Sequence, residues 1–260
     1  MELEGKVALV TGAGSGLGKA AALRLAREGV KVGVLSRTES EIDKTVAEIE
    51  RAGGTAIALC ADIADSEQTQ KAVADLVGAY GRLDIVFANA GINGVWAPID
   101  DLQPDEWDRT VNINLRGTYL TLHYAVPHLK KAGAGSIIIT SSINGTRTFT
   151  SPGATAYSCT KAAQLAMTQM LALELAKHRI RVNAICPGMI ETNIPDSTEK
   201  RDTAESGVRA EYPDGDIPLT NGKAGTSDEV ADLVLFLASD RSRHITGTPV
   251  WIDGGQSLLV

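Results

Sequence analysis

A tyrosine and a lysine four residues apart could form a proton-transfer site in this chain. Tyr157 and Lys161 open a long segment with helical spacing, and residues four apart share one face of a helix. A tyrosine hydroxyl has a pKa of about 10, so it releases its proton poorly at neutral pH. A fixed positive charge nearby lowers that pKa and favours acid–base catalysis. Cys159 lies roughly 200° around the helix from Tyr157 and is predicted to face away.

A glycine-rich turn near the start of the chain could hold a phosphate group. Residues 11–18 read T-G-A-G-S-G-L-G and lie between a short apolar run and a segment with helical spacing. Glycines permit a tight turn and a close approach of ligand to backbone, and a helix N-terminus attracts a pyrophosphate. The form G-x-G-x-x-G does not fit, because its third glycine would fall on Leu17. A turn shaped only for packing is the alternative, but the strand–turn–helix context favours nucleotide binding.

Alternating strands and helices must position these residues. Strands are predicted at residues 6–11, 30–35, 55–60, 84–88, 136–140, 180–186 and 248–252, and helices at 16–28, 39–52, 66–80, 104–131, 157–178 and 227–239. This alternation predicts an α/β fold with a parallel sheet and helices on both faces. Pro127 is a candidate for a break in the fourth helix.

Neither a composition break nor an internal repeat divides the chain, so residues 1–260 are predicted to form a single domain. The one long irregular stretch, at about 189–226, is rich in charge, proline and glycine. Loops of this length in compact domains usually act as lids or are disordered. We therefore expect a mobile substrate flap there, with room for a short helix.

Composition and charge exclude several classes of protein. The 260 residues carry a net charge of -7, which argues against binding to nucleic acid. Three cysteines far apart in sequence suggest reduced thiols, and the four histidines show no metal-ligand spacing, so no metal is expected. The first residues have no apolar signal region, and no apolar run reaches membrane-spanning length. We expect a cytoplasmic protein that binds neither nucleic acid nor membrane.

Taken in order, the motifs resemble those of the short-chain dehydrogenase/reductase family, in its single-domain branch. They are the glycine turn, Asn89-Ala90-Gly91, Asn114, Ser141-Ser142, Tyr157 with Lys161, Pro187-Gly188 through Thr192, and Asp253-Gly254-Gly255. The resemblance covers nearly the whole chain. It implies a Rossmann-type, doubly wound, mainly parallel seven-stranded sheet. It also implies an NAD(P)-dependent oxidoreductase that transfers a hydride between a nicotinamide cofactor and a ketone or secondary alcohol.

The resemblance assigns four catalytic residues. Tyr157 would be the general acid in reduction and the base in oxidation, and Lys161 would lower its pKa and bind the nicotinamide ribose. Ser142 would hold the carbonyl oxygen, and Asn114 would order a water that links Lys161 to solvent. Ser141 is adjacent, but neighbouring side chains at a strand end point in opposite directions. The family pattern favours Ser142, with Ser141 merely polar.

The resemblance also implies a set of cofactor-binding residues. They are Gly12, Gly14, Ser15, Gly16, Leu17, Gly18, Ser36, Arg37, Asp62, Ile63, Asn89, Ala90, Gly91, Tyr157, Lys161, Pro187, Gly188, Ile190 and Thr192. Asp62 resembles an aspartate that contacts adenine, whereas Asp65 and Ser66 are better placed to cap the next helix. The Asp253 turn is interpreted as structural.

The cofactor type depends on the end of the second strand. NAD-dependent enzymes place an acid there, which accepts bonds from the ribose hydroxyls and repels an added phosphate. This chain has Ser36 followed by Arg37, and a guanidinium can bind a 2′-phosphate bidentately. We therefore expect NADP(H), with NAD(H) as the alternative because Ser15 stands where many NADP users carry a basic residue.

Substrate and assembly are less constrained by the sequence. Trp96, Phe149 and Met189 are expected to give the substrate pocket an apolar lining, and Arg147 to meet an anionic group. A 3-oxoacyl thioester reductase is one alternative function. A non-catalytic nucleotide-binding regulator is another, although the serine, tyrosine and lysine positions are all intact. Similar proteins are commonly homotetramers built through their long helices, so we expect a homotetramer.

Overall fold

In the part of the chain that the structure describes, nine strands build a central sheet and a small accessory ladder. The computed structural model describes residues 3–192, 194–204 and 215–259. In chain order the strands are β1 (Val7–Thr11), β2 (Lys31–Ser36), β3 (Thr55–Cys60), β4 (Ile85–Ala88), β5 (Gly94–Trp96), β6 (Gly135–Thr140), β7 (Ile180–Pro187), β8 (Thr198–Lys200) and β9 (Pro249–Ile252). Seven of them form a parallel sheet in the order β3-β2-β1-β4-β6-β7-β9, which confirms the predicted fold class.

Helices cover both faces of this sheet. They are α1 (Gly16–Arg27), α2 (Glu39–Arg51), α3 (Ser66–Tyr80), α4 (Pro104–Val111), α5 (Gly117–Ala132), α6 (Thr155–Ala176) and α7 (Ser227–Ala238). One apolar core lies between the sheet and α1, α2 and α7, and a second lies between the sheet and α3, α5 and α6. Because the inner strands are buried on both faces, they read as continuous apolar runs rather than as alternating ones.

The helix predicted over residues 104–131 differs from expectation. It is two helices joined by a π-helical turn, Asn112–Arg116, and α5 continues through Pro127 without ending. The helix ends at Gly133 instead, whose φ of 83° supplies a left-handed cap. The helix break expected at Pro127 is therefore wrong in position. The departure from α-helical geometry lies instead in the π-helical turn that contains Asn114.

The expected flap is only partly irregular where it is described. It contains two 3₁₀ turns, Ile194–Ser197 and Pro218–Thr220, and the strand β8, which pairs in parallel with β5. Three-residue strands are too short to leave a periodic signal, so neither β5 nor β8 was predicted. Asn193 and residues 205–214 of the flap lie outside the described residues.

The helices and the metal-ligating side chains of the described ranges bear on membranes and metals. None of the helices there combines the length and apolar character needed to cross a bilayer. Within the same ranges, histidine, cysteine and acidic side chains do not gather in groups of three that could hold a metal ion.

Candidate active site

A cleft of about 480 Å³ opens at the carboxyl ends of the central strands. This is the edge at which parallel α/β sheets bind ligands. The cleft is lined by most of the predicted residues: Gly12, Ser15, Gly16, Leu17, Ser36, Arg37, Asp62, Ile63, Asn89, Ala90, Gly91, Ser142, Tyr157, Lys161, Pro187, Gly188, Ile190 and Thr192. The fold therefore brings together residues from almost the whole length of the chain.

Two glycines of the turn do not line the cleft. A Cβ at Gly18 would collide with the Gly12 carbonyl, so Gly18 is required for the packing of α1 against the turn. A Cβ at Gly14 would lie 2.7 Å from Glu41 Oε2, so Gly14 leaves space for an acidic side chain from α2. Packing, which was the alternative interpretation of the whole turn, thus accounts for these two positions.

Asn89 joins three neighbouring strand ends beneath the cleft. Its side-chain amide donates to Thr11 O at 3.1 Å, and its Oδ1 accepts from Thr140 Oγ1 at 3.2 Å. Thr11 Oγ1 in turn accepts from the backbone N–H groups of Asn89 and Ala90, at 3.0 and 3.1 Å. Thr11 was missed as a site residue, although its place at the end of β1 could have identified it.

Asn114 lies behind the cleft and does not line it. Its side chain is fully buried, accepts from Ile92 N at 2.8 Å and donates to Ile92 O at 2.9 Å. It also donates to Thr160 Oγ1 at 3.2 Å, which links the π-helical turn to α6. The side chain therefore fixes the loop after β4 relative to the helix that carries Tyr157.

The two adjacent serines have different surroundings. Ser141 Oγ is buried and donates to Lys161 O at 2.8 Å, which ties the end of β6 to α6. Ser142 lines the cleft, and its Oγ accepts from Asn144 N at 3.2 Å. Both serines line the cleft, and Ser142 is the one of the two whose side chain hydrogen-bonds the Tyr157 hydroxyl.

Tyr157 and Lys161 both line the cleft from the first turns of α6. The Lys161 ammonium lies 5.5 Å from the centroid of the Tyr157 ring and donates to Thr140 O at 2.8 Å. Both side chains are buried, whereas Cys159 is exposed, as its angular position predicted. The expected pairing of phenol and amine on one helix face is confirmed.

The protonation properties of this pair depart from expectation. Burial raises the pKa of the Tyr157 hydroxyl, and the Ser142 side chain offsets only part of that rise. The lowering of this pKa by Lys161 stays a prediction; in the structure the amine donates to Thr140 O and lies near the Tyr157 ring. Burial lowers the pKa of Lys161 to about 8, and nearby Cys186 opposes that shift.

The far end of the cleft is open to solvent. Arg37 Nη1 lies 3.8 Å from Asp62 Oδ2, and their side chains are 55% and 35% exposed. Asp62 Oδ1 also accepts from Ala64 N at 2.9 Å, while Asp65 caps α3, as predicted. Glu41 lines the cleft beside Ser36 and was missed, because nothing in the sequence of α2 marks which acidic residue faces the ligand.

Three residues expected in the substrate pocket do not line this cleft. Phe149 and Met189 are exposed, and neither lines the cleft. The Arg147 guanidinium stacks on the Trp251 ring, at 3.4 Å from its centroid. Trp96 does reach the site, because its ring centroid lies 6.4 Å from that of Tyr157.

Sequence comparison identifies the family. The family profile described as enoyl-(acyl carrier protein) reductase matches residues 12–257. The 3-oxoacyl-[acyl-carrier-protein] reductase FabG of Thermotoga maritima is 39% identical over 98% of this chain and 99% of its own length. The chain belongs to the short-chain dehydrogenase/reductase family. Another member, the 2,5-dichloro-2,5-cyclohexadiene-1,4-diol dehydrogenase LinX of Sphingobium indicum, is 38% identical over 99% of this chain and 98% of its own.

Solved structures of family members agree in fold along their whole length. A 3-ketoacyl-ACP reductase from Sinorhizobium meliloti 1021 is 61% identical, with a TM-score of 0.94 over 98% of this chain and 100% of its own. A 3-ketoacyl-(acyl-carrier-protein) reductase from Brucella melitensis in complex with NADH is 34% identical, with a TM-score of 0.86 over 98% and 99%. A short-chain dehydrogenase from Burkholderia cenocepacia J2315 in complex with NADP is 36% identical, with a TM-score of 0.85 over 98% and 99%.

Membership of the family establishes the reaction class. The protein is an oxidoreductase that uses a nicotinamide cofactor and acts on CH–OH or C=O groups of small molecules. The cleft suits such a cofactor, because the glycine turn keeps the backbone bare where α1 begins. Gly91 has little room for a side chain, because a Cβ there would lie 3.1 Å from Asn114 Oδ1 and 3.6 Å from Lys161 Nζ.

Proposed function

We propose that Tyr157 exchanges the proton while hydride passes between the bound nicotinamide and a ketone or secondary alcohol. The observation that carries this proposal is the convergence of Ser142, Tyr157 and Lys161 at one end of the cleft. In reduction, the Tyr157 hydroxyl donates its proton to the substrate oxygen, and in oxidation the phenolate accepts it. The nicotinamide supplies or receives the hydride.

Ser142 and Lys161 support this proton transfer in different ways. The Ser142 hydroxyl donates a hydrogen bond to the substrate oxygen, where negative charge develops in the transition state. Lys161 places its amine beside the phenol, and in its charged form it stabilises the phenolate left after proton donation. Its pKa of about 8 lets the amine gain or lose a proton near physiological pH.

Asn114 acts from behind the site. We propose that it orders a water between Lys161 and solvent, supported by the position of its Oδ1 beside the bare Gly91 backbone, on the same side as Lys161 Nζ. Its bonds to Ile92 and Thr160 hold the surrounding backbone in place for that role.

We propose NADP(H) as the preferred cofactor. Ser36 leaves the end of β2 without an acid, and Arg37 offers a half-exposed guanidinium whose only contact with Asp62 is a loose 3.8 Å ion pair. Glu41 acts in the opposite direction, because its carboxylate faces the same end of the cleft and disfavours an added phosphate. The balance of these two charges sets the preference.

Reduction of a 3-oxoacyl thioester is a second candidate function. It is favoured by the names of three relatives, from Thermotoga maritima, Sinorhizobium meliloti and Brucella melitensis, which are all 3-oxoacyl carrier-protein reductases. LinX, a diol dehydrogenase of nearly equal identity to the first, shows that this level of similarity does not determine the substrate. Acetoacetyl-CoA and a simple ketone, compared as substrates with NADPH, distinguish the two functions.

We also propose that the protein is a cytoplasmic homotetramer. Exposed apolar side chains on α5 and α6, namely Tyr119, Met170 and Leu173, support association through these helices. Cys60 and Cys159 are exposed free thiols, which suits a reducing compartment. Light scattering of the purified protein measures the assembly directly.

The central test is the substitution Tyr157→Phe. It removes the proton donor and keeps the ring, so turnover should fall by roughly a thousandfold or more, since acid–base catalysis contributes 10²–10⁴-fold. Cofactor binding, measured by NADPH fluorescence titration, should change less than about twofold because the ring still lines the cleft. Turnover close to that of the wild type would contradict the mechanism.

A further inference from the structure

The accessory ladder of β5 and β8 holds an aromatic side chain against Tyr157. Trp96 at the end of β5 is paired with Lys200 at the end of β8. The Trp96 ring is tilted by 41° to the Tyr157 ring, and the Lys200 ammonium lies 5.2 Å from the indole centroid. The Trp96 indole N–H already donates to Asn93 O at 3.2 Å. Trp96 therefore offers a neighbouring ligand only the carbon surface of its ring.

The backbone at Trp96 is held by the segment that precedes α6. Ala97 N donates to Gly153 O at 3.2 Å, and Gly153 has a φ of 76°. A Cβ at Gly153 would lie 2.8 Å from the carbonyl carbon of Trp96, so this close approach requires glycine. The indole is thus positioned relative to the first turn of α6, where Tyr157 lies.

A single arginine fastens the other side of the ladder. Arg201 N donates to Trp96 O at 2.9 Å. Its guanidinium bonds both oxygens of Glu106 at 2.9 Å and lies 2.5 Å from Asp101 Oδ2. The hydrogen bonds from Arg201 lower the pKa of Glu106 to about 2. Bidentate pairs of this kind are geometrically specific, so Arg201 joins the end of β8 to α4 in one arrangement.

We propose that Trp96 is a specificity-determining wall beside Tyr157 and that Arg201 is the positioning residue that holds it there. The inference deepens the proposed function and rests on the assigned role of Tyr157. The Trp96 ring borders the Tyr157 ring, with centroids 6.4 Å apart, so a carbonyl substituent that passes on this side of the phenol meets the indole. Because the indole N–H is already bonded to Asn93 O, the ring offers that substituent carbon surface, which favours ketones or alcohols with a hydrocarbon substituent on this side.

The position of Trp96 can be measured without any substrate. The chain has three tryptophans, so a Trp107→Phe, Trp251→Phe background reports Trp96 fluorescence alone. There, Arg201→Ala should shift the emission to longer wavelength and raise acrylamide quenching about twofold, because the indole becomes more exposed. Arg201→Lys should give an intermediate result, since it keeps the charge but not the bidentate geometry.

Arg24 provides a matched control for this measurement. It pairs with Glu28 and Asp232, far from the site on α1 and α7, and Arg24→Ala should leave Trp96 emission unchanged. Identical emission from the Arg201→Ala protein and its parent would overturn the positioning role. If the background variant does not fold, the double-mutant cycle below decides the same point in the otherwise native chain.

The specificity role is tested with 2-butanone and 2-octanone and NADPH. Trp96→Ala should lower the ratio of kcat/KM for 2-octanone to that for 2-butanone roughly tenfold, the lower end of the range for lost hydrocarbon contacts. Arg201→Ala should lower the ratio about threefold, mainly through KM, and should add nothing in the Trp96→Ala background. Additive effects of the two substitutions, or an unchanged ratio, would refute the proposal.

The same assay distinguishes a failure of the Tyr157 mechanism from a failure of the Trp96 specificity role. A wild-type enzyme that reduces acetoacetyl-CoA but neither ketone would keep the proposed chemistry and overturn the hydrocarbon preference. If the wild type reduces acetoacetyl-CoA, 2-butanone and 2-octanone, and the Tyr157→Phe variant still reduces all three, the proposed mechanism is overturned. Trp96 emission would then still decide the role of Arg201.

Discussion

The two ends of the cleft are built in contrasting ways. At the reactive end, Lys161 is only 3% exposed and donates to a backbone carbonyl, and Ser141 ties the neighbouring strand to α6. At the other end, Arg37 is more than half exposed, Asp62 is about one third exposed, and the two form a loose ion pair. Buried, fully bonded groups hold one geometry, whereas exposed ion pairs contribute little and rearrange readily. We therefore expect substitutions at the reactive end to abolish chemistry, and those at the open end to change cofactor choice.

The largest effect is expected when the two adjacent serines are compared. Ser142→Ala should lower kcat by roughly 10²–10³-fold, the effect of removing one donor aimed at a developing oxyanion. Ser141→Ala should lower the free energy of unfolding by about 1 kcal/mol, with a far smaller loss of kcat, because its hydroxyl bonds Lys161 O. Steady-state kinetics and urea unfolding of both variants measure the contrast. Equal kcat losses would remove the distinction between the two serines.

A smaller effect is expected from Lys161, as a change of stability with pH. Its folded pKa of about 8 lies below the ordinary 10.5, so between these values the unfolded state binds more protons and stability rises with pH. Lys161→Met has no such group. The stability advantage of Lys161→Met over the wild type should therefore shrink by about 2 kcal/mol between pH 7 and pH 10. Parallel curves of unfolding free energy against pH would show that the amine is not desolvated.

The smallest effect is expected at the open end of the cleft. Arg37→Ala should lower kcat/KM for NADPH roughly tenfold and leave NADH nearly unchanged, because it removes the cation that meets the 2′-phosphate. Glu41→Gln should raise kcat/KM for NADPH about threefold by removing a facing negative charge. Arg51→Ala on the exposed end of α2 is the control and should alter neither value. A wild-type enzyme that strongly prefers NADH would contradict the assignment of Arg37.

Much of the fold and the site could be predicted because local pattern carried the information. Apolar runs that alternate with helical spacing predicted the seven strands of the main sheet and placed their carboxyl ends together. Tyr157 and Lys161 needed only helix geometry to share a face. Very short strands and long-range pairings could not be predicted from the sequence. Strands β5 and β8 have three residues each, and their pairing joins positions about a hundred residues apart.

The sequence by itself determined the order of the elements and the motifs, because both depend on residue types at short, regular spacing, and the resemblance of those motifs to a known family implied the reaction class. Tertiary structure alone decided that Ser142 bonds the Tyr157 hydroxyl while Ser141 bonds Lys161 O, that burial raises the Tyr157 pKa, and that Glu41 faces the open end. It also decided that Arg147 stacks on Trp251 and that Arg201 fastens the ladder carrying Trp96. Desolvation and long-range pairing depend on what the chain packs around each group, and local sequence does not encode those neighbours.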